Sequence, residues 1–285
     1  MSMQLLRLGE LGHERPAVRT DDGSIFDLSS ITPDIDGTFL AQNGIARARA
    51  GVESDSLPVV DTEGVRIGAP IARPGKVVCV GLNYSDHAAE SGLDVPTEPV
   101  IFMKAPNTVV GPNDEVLIPR GSTKTDWEVE LGVVVGQTGR YLESPEAAAE
   151  IIAGYVVSHD VSEREFQLER GGTWDKGKSC ETFNPIGPWL VPADEVPDAG
   201  KLRLRLWVNG QLRQDGNTEN LIFGIGHIVW YLSQFMVLEP GDVINTGTPA
   251  GVAMGMAGQP YLRAGDVVEL EIDGLGKQRQ QLAQA

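Results

Sequence analysis

Residues 201–210 read K-L-R-L-R-L-W-V-N-G. Leu202, Leu204, Leu206 and Val208 fall at every second position, so an extended chain here has one apolar side and one mixed side. A helix would scatter those residues around its surface. The Asn209-Gly210 pair supplies the positive φ angles of a two-residue hairpin turn. A chain with this stretch must build antiparallel sheet. Other short strand-like runs lie at 76–81, 99–104, 115–119, 155–160, 239–244 and 263–272, most of them bounded by glycine or proline. Helical patterns are fewer. Residues 144–154 predict one, with Ser144 as N-cap, Pro145 in the first turn and Gly154 at its end. Residues 218–236 predict an apolar helix capped by Thr218, and 83–92 and 38–49 predict short ones. The expectation is a strand-rich α+β fold, a roll, barrel or sandwich, and not an alternating α/β fold.

The first 70 residues form a small leading module, with strands around an Asp22-Gly23 turn and a proline-bearing linker at 51–75. Residues 71–285 then form the larger domain. The net charge of −17 opposes nucleic acid and anionic membrane surfaces, whose attraction depends on Lys and Arg. An anionic substrate would need locally clustered cations against that field. Cys79 and Cys180 are too few and too far apart for a disulfide framework or a zinc pattern. The start M-S-M-Q-L-L-R-L-G-E lacks the features of a secretory signal, and no apolar run approaches the ~20 residues of a membrane span. A cytoplasmic protein is expected.

Chemistry concentrates in four places. In T-D-W-E-V-E-L-G-V-V-V-G (125–136), an unbroken strand would put Asp126, Glu128 and Glu130 on one face. Like charges so placed repel. Two readings are open: a half-buried strand with a wet acidic face, or a site for a hard cation such as Mg²⁺, which takes oxygen ligands. Asp160, ending the next strand, is the candidate third carboxylate. His87 and Glu90 would be neighbours on a helix, where a carboxylate can orient an imidazole as a general base; a solvated helix face is the alternative. Lys178 lies in the small-residue loop W-D-K-G-K-S-C-E-T-F-N-P-I-G-P (174–188). The loop N-T-G-T-P-A-G-V (245–252) could bring backbone amides close to an anion. His13 reads as surface, His227 and Cys79 as core, His159 as facing away from Asp160, and Cys180 as lacking a histidine partner.

In series, G-L-N-Y-S-D-H-A-A-E, E-P-V-I-F-M-K, D-W-E-V-E-L-G-V-V-V-G, H-D-V-S-E-R-E-F-Q, G-K-S-C-E-T-F-N-P-I-G-P and L-E-P-G-D-V-I-N-T-G-T-P-A-G-V resemble the fumarylacetoacetate hydrolase family over about residues 76–272. The resemblance implies that family's mixed β-sandwich roll behind a small α+β module, and a homodimer. It implies Mg²⁺ or Mn²⁺ held by Glu128, Glu130 and Asp160, with Asp126 not carried over as a ligand. It implies Arg164, Gln167 and Thr248 as substrate contacts, Lys178 as the active-site lysine and Thr182 close to the metal. Lys104 of F-M-K is read as a further substrate contact. His87 and Glu90 match a dyad that activates water in acylpyruvate hydrolases of the family, on a segment that closes over substrate. The implied reaction is C–C hydrolysis of a small anionic 2,4-diketo acid. In detail the chain resembles bacterial members acting on 2,4-diketo-3-deoxy sugar acids of fuconate or rhamnonate breakdown. Oxaloacetate decarboxylation and 2-hydroxydienoate isomerisation are the alternatives, because all three pass through a similar enolate.

Overall fold

The structure, a computed structural model, describes residues 2–85 and 95–285. Its centre is a six-stranded mixed sheet in the order Val191–Pro192, Ile152–His159, Val129–Val135, Val243–Asn245, Val77–Gly81, Val100–Lys104. Val243–Asn245 runs parallel to Val77–Gly81, and the other pairs are antiparallel. A second sheet of five strands runs Gln211–Asn217, Arg203–Val208, Val267–Ile272, Gly276–Gln284, Val116–Ile118. The N-terminal residues add a four-stranded sheet ordered Ile25–Asp27, Arg15–Thr20, Met3–Leu8, Ile67–Gly68. The 201–210 pattern behaves as expected: Leu204, Leu206 and Val208 are buried, and Asn209 and Gly210 turn the hairpin at φ 51° and 74°.

The central sheet is covered on both sides. Val78, Val80, Leu131, Val133, Val157 and Ile244 pack with Leu204, Leu206 and Leu270 of the second sheet. Val77, Cys79, Val134, Val156 and Val243 point the other way and pack with Leu5, Val18 and Phe39 of the N-terminal residues. This is why these strands read as near-continuous apolar runs. Each such side chain contributes about 1.5–3 kcal/mol when fully buried. The strand Val129–Val135 therefore has no wet face: all seven of its residues are buried.

Local signals were overridden in several places. The chain expected to be one strand at 125–135 is two: Thr125–Asp126 pairs with Ser162–Glu163, and a break at 127–128 precedes Val129–Val135. The expected helix at 144–154 is a 3-10 turn, Pro145–Glu150, and Gly154 lies inside the strand Ile152–His159. The Ala and Glu residues favour helix, but the β-branched run behind them is claimed by the sheet. The 218–236 helix begins only at Ile225, with Gly224 as cap. Thr218 instead accepts from the Leu202 amide and donates to the Ala199 carbonyl. His227 is half-buried, not core, and stacks on Phe223 and Tyr231. Two helices, Gly37–Ala41 and Gly44–Glu53, replace one at 38–49. Residues 51–75 are not a free linker, since Leu57, Ala69, Ile71 and Ala72 are buried and Ile67–Gly68 joins the N-terminal sheet.

Candidate active site

Strand parity places the acids. Glu130 lies on the same side of its strand as Val134, and Asp160 follows Val156 and Ser158 at alternate positions, with Ser158 paired opposite Glu130. Both carboxylates thus leave the sheet on one face, beyond the apolar cover. The break at 127–128 adds Glu128 to them. Glu128, Glu130 and Asp160 each offer a carboxylate oxygen within 4.8 Å of the others, and all three residues are buried. That is a hard, all-oxygen donor set, and it fits a divalent cation such as Mg²⁺ or Mn²⁺.

Cations surround the acids without matching them evenly. Lys178 Nζ donates to Glu128 Oε2 at 2.7 Å and to Asp160 Oδ2 at 2.9 Å. Lys104 Nζ donates to Asp160 Oδ1 at 2.6 Å and to the Val161 carbonyl at 3.0 Å. Arg164 Nη2 pairs with Glu128 Oε1 at 2.7 Å, and its Nη1 donates to Gln167 Oε1 at 3.0 Å. Burial opposes the charges on Lys178 and Arg164, but the facing carboxylates outweigh it and raise both pKa values. Both side chains stay protonated.

Glu130 is different. Among the described residues no Lys or Arg forms a salt bridge with it; the Gly247 amide donates to its Oε2 at 2.7 Å. Its pKa is pushed well above the carboxylate range, first by burial and then by Asp160 and Glu128, with Lys178 and the Gly247 amide offsetting only part. A carboxylate in that state gains from any cation that can replace its proton. The 245–252 loop does bring an amide to an anion, but the anion is the protein's own. Gly247 can do this because a Cβ there, at φ 105°, would sit 2.8 Å from the Asn83 Cβ.

Asp126 is not a fourth member of the triad. Its oxygens accept from Arg164 Nε at 2.9 Å, Ala253 N at 2.7 Å, Met254 N at 3.0 Å and its neighbour Trp127 N at 2.8 Å. It fixes the guanidinium that faces Glu128 and ties the 253–255 turn to the site. Thr248 donates to the Val129 carbonyl and accepts from Gln214 Nε2. Glu128, Arg164, Gln167, Lys178 and Thr248 together line a cavity of about 110 Å³. A larger cavity, about 680 Å³, lies near Arg49 and Asp194, away from the triad, so size alone does not mark the chemistry.

The structure thus brings together Glu128, Glu130, Asp160, Lys178, Arg164, Gln167 and Thr248. It sets Lys104 behind Asp160, buried, and off the cavity wall. His87 and Glu90 fall outside the described residues. Thr182 has its hydroxyl engaged with the Leu117 amide and the Glu181 carbonyl. Burial pushes the Cys180 thiol up to about 11, which disfavours the thiolate. Buried His159 is held neutral, its pKa lowered to about 4 mainly by burial. Gln214 carries no local signal of its role, and Gly247 is signalled only as part of the small-residue loop 245–252; both come from outside the strands that bear the acids.

Among known proteins, the fumarylacetoacetate (FAA) hydrolase C-terminal profile matches residues 76–283. A relative from Burkholderia lata, named only as a candidate hydrolase, is 52% identical over 279 residues, 98% of either chain. The 2-hydroxyhepta-2,4-diene-1,7-dioate isomerase of Mycobacterium marinum is 30% identical, with a TM-score of 0.79 over 99% of both chains. The maleylpyruvate hydrolase of Sphingobium sp. SYK-6, solved with manganese(II) ion and pyruvate, is 27% identical, with a TM-score of 0.81 over 99% of both chains.

Proposed function

The chain belongs to the fumarylacetoacetate hydrolase family, and on that premise we propose that it is a divalent-metal-dependent hydrolase of acylpyruvates. It would split the C3–C4 bond of a small 2,4-diketo acid with one water, giving pyruvate and a carboxylic acid. The observation that carries this reading is the buried triad Glu128, Glu130 and Asp160 with Lys178 donating into it. A divalent cation held by that triad would supply Lewis-acid polarisation of the 2-keto oxygen and a chelation point for the carboxylate. The manganese and pyruvate bound by the Sphingobium enzyme support that arrangement.

The chain's own residues would do the rest. Four buried carboxylates, Asp126, Glu128, Glu130 and Asp160, face three cations, Lys104, Arg164 and Lys178, a formal balance of one negative charge. A divalent ion turns that balance to one positive charge, which a monoanionic keto acid neutralises. Lys178 has a third N–H beyond the two spent on Glu128 and Asp160, and it would donate to the oxygen that gains charge as C3–C4 breaks. Gln167 has its amide oxygen turned to Arg164, so its NH₂ is the end offered to substrate. His87, oriented by Glu90, would take a proton from the attacking water, and a proton is returned to C3 of the pyruvate enolate. The homodimer and the cytoplasmic location belong to the same proposal; no helix among the described residues is long and apolar enough to cross a membrane.

The test is pyruvate release from acetylpyruvate by the purified protein with Mg²⁺ or Mn²⁺, beside oxaloacetate and a 2-hydroxydienoate. Pyruvate from the acylpyruvate is expected, abolished by a chelator. Decarboxylation of oxaloacetate or isomerisation of the dienoate, with no C–C hydrolysis, would replace this reading. The Mycobacterium marinum relative makes isomerisation the stronger of those two.

A further inference from the structure

We infer that the acyl arm of the substrate is apolar and uncharged, an alkyl or aryl ketone, and neither a second carboxylate nor a polyhydroxylated sugar-acid chain. The inference rests on the acylpyruvate reading and narrows it. The cavity beside the triad has two kinds of lining. Its polar groups are those shared with the acids, and they are largely spent there. Arg164 turns its three nitrogens to Asp126, Glu128 and Gln167. The Thr248 proton is committed to the Val129 carbonyl. The remaining donors, on Lys178, Gln167 and the second N–H of each terminal nitrogen of Arg164, suit the carboxylate and keto oxygens at the pyruvate end.

Among the described residues, the rest of the lining is Leu82, Phe102, Leu168, Trp174 and Met254. Apart from the Trp174 indole N–H and the weakly accepting Met254 sulfur, these side chains have nothing to bond a hydroxyl with. Lys104, Arg164 and Lys178 each already contact a carboxylate, so among the described residues near the cavity no unmatched cation is left for a distal carboxylate. Burying a hydroxyl or a charge against such a wall leaves it unsatisfied, whereas each buried methylene is favourable.

The wall is also held in place. Trp174 packs on Phe102 with centroids 5.5 Å apart, and Gly81 makes room for it, since a Cβ there would lie 2.4 Å from Trp174 Cζ3. Asp175, the next residue, accepts from the Met103 amide at 2.7 Å and pins the turn to the sheet. At about 110 Å³ the cavity admits a compact arm, well below the volume of a drug-sized pocket. This turns the choice away from the sugar acids that the sequence resemblance suggested.

The experiment is calorimetric binding to the Mn²⁺-loaded protein of 2-oxo acids that cannot be cleaved because they lack a 4-carbonyl. The alkyl series 2-oxobutyrate, 2-oxopentanoate and 2-oxohexanoate should tighten about 3- to 4-fold per methylene. At equal chain length, 2-oxoglutarate and a 2-keto-3-deoxy sugar acid should bind at least about 10-fold more weakly than 2-oxopentanoate. Trp174→Ala should flatten the chain-length dependence, and Trp174→Phe should restore most of it. Equal or tighter binding of the diacid or the hydroxylated acid, no binding of any alkyl acid, or a slope unchanged in Trp174→Ala would overturn the inference. A protein that binds the alkyl series with rising affinity but cleaves no acylpyruvate would overturn the hydrolase reading and leave this one standing.

Discussion

Two clusters of charge in this molecule, one half-buried and one fully buried, have the same formal balance and opposite behaviour. Between the N-terminal sheet and the main body, Arg7 and Arg66 face Glu14, Asp34 and Asp114, a balance of one negative charge. At the triad, three cations face four acids, the same balance. Yet Glu14 has its pKa lowered, while Glu130 has its pKa raised well above the usual range. Burial pushes both upward. Glu14 accepts from Arg7 at 3.2 Å and from Arg66 at 2.9 Å, and these contacts outweigh the burial. Glu130 has one backbone amide and two like-charged neighbours. Net charge does not separate a structural ion cluster from a metal-ready one. What separates them is how deeply each acid is buried and whether it touches its own cation.

Glu130→Gln tests the functional side of that contrast and carries the largest expected effect. It leaves a side chain of the same size and one oxygen to accept from Gly247, but removes the charge that would hold the cation. Turnover of acetylpyruvate should fall on the order of 10³-fold, and the thermal stabilisation by Mn²⁺ should largely disappear. Activity within tenfold of the parent would make Glu130 a structural acid and dissolve the contrast.

Asp126→Asn comes next. Asp126 lies four residues from Glu130 yet is matched like Glu14, by Arg164 and backbone amides. Removing its charge leaves Arg164 partly uncompensated, at a cost of about 3 kcal/mol in denaturant unfolding. The kcat should fall roughly tenfold through the loosened Arg164–Glu128 pair, with Mn²⁺ stabilisation retained. Loss of Mn²⁺ stabilisation would place Asp126 among the ligands.

That Asp126 belongs with the structural acids was not legible from the alternation of 125–136, which put it on one face with Glu128 and Glu130; the family resemblance, and not the alternation, singled out Glu128, Glu130 and Asp160. Parity along a strand holds only while the strand is unbroken, and the chain breaks at 127–128. The hairpin at 209–210 and the strand-rich class were legible because period-2 patterns and turn residues act locally. The helix expected at 144–154 failed because its second half is recruited by long-range sheet pairing. The apolar cavity wall was invisible for a different reason. Leu82, Phe102, Trp174 and Met254 are spread over more than half of the chain, and only the fold makes them neighbours.

The third effect is a pH dependence of opposite sign for the two clusters. Glu130 is raised in the folded state, so without metal its contribution to stability is fully present below the unfolded value of 4.5. That contribution is lost as pH rises through the folded value. A bound cation replaces the proton and removes the loss. The melting temperature of metal-free protein should therefore decline relative to the Mn²⁺-loaded form as pH rises from 4.5, and Glu130→Gln should abolish the widening gap. A gap that is constant with pH would mean that metal binding displaces no proton from this site.

The smallest effect belongs to Glu14→Gln. The Glu14 side chain is only 4% exposed, but Arg66 is 22% exposed and partly screened by solvent. The loss should be about 1–2 kcal/mol, or roughly 2–4 °C per kcal/mol in the melting temperature. Glu14 is lowered in the folded state, so the stability it contributes is present above the unfolded value of 4.5 and lost on acidification. The variant should therefore lose less stability than the parent below that pH. Acetylpyruvate turnover and Mn²⁺ stabilisation should stay at parental levels, since no contact of Glu14 reaches the triad. If instead Glu14→Gln lowers turnover as Glu130→Gln does, the two clusters act as one electrostatic unit, and matching each acid to its own cation is not what divides structure from function in this chain.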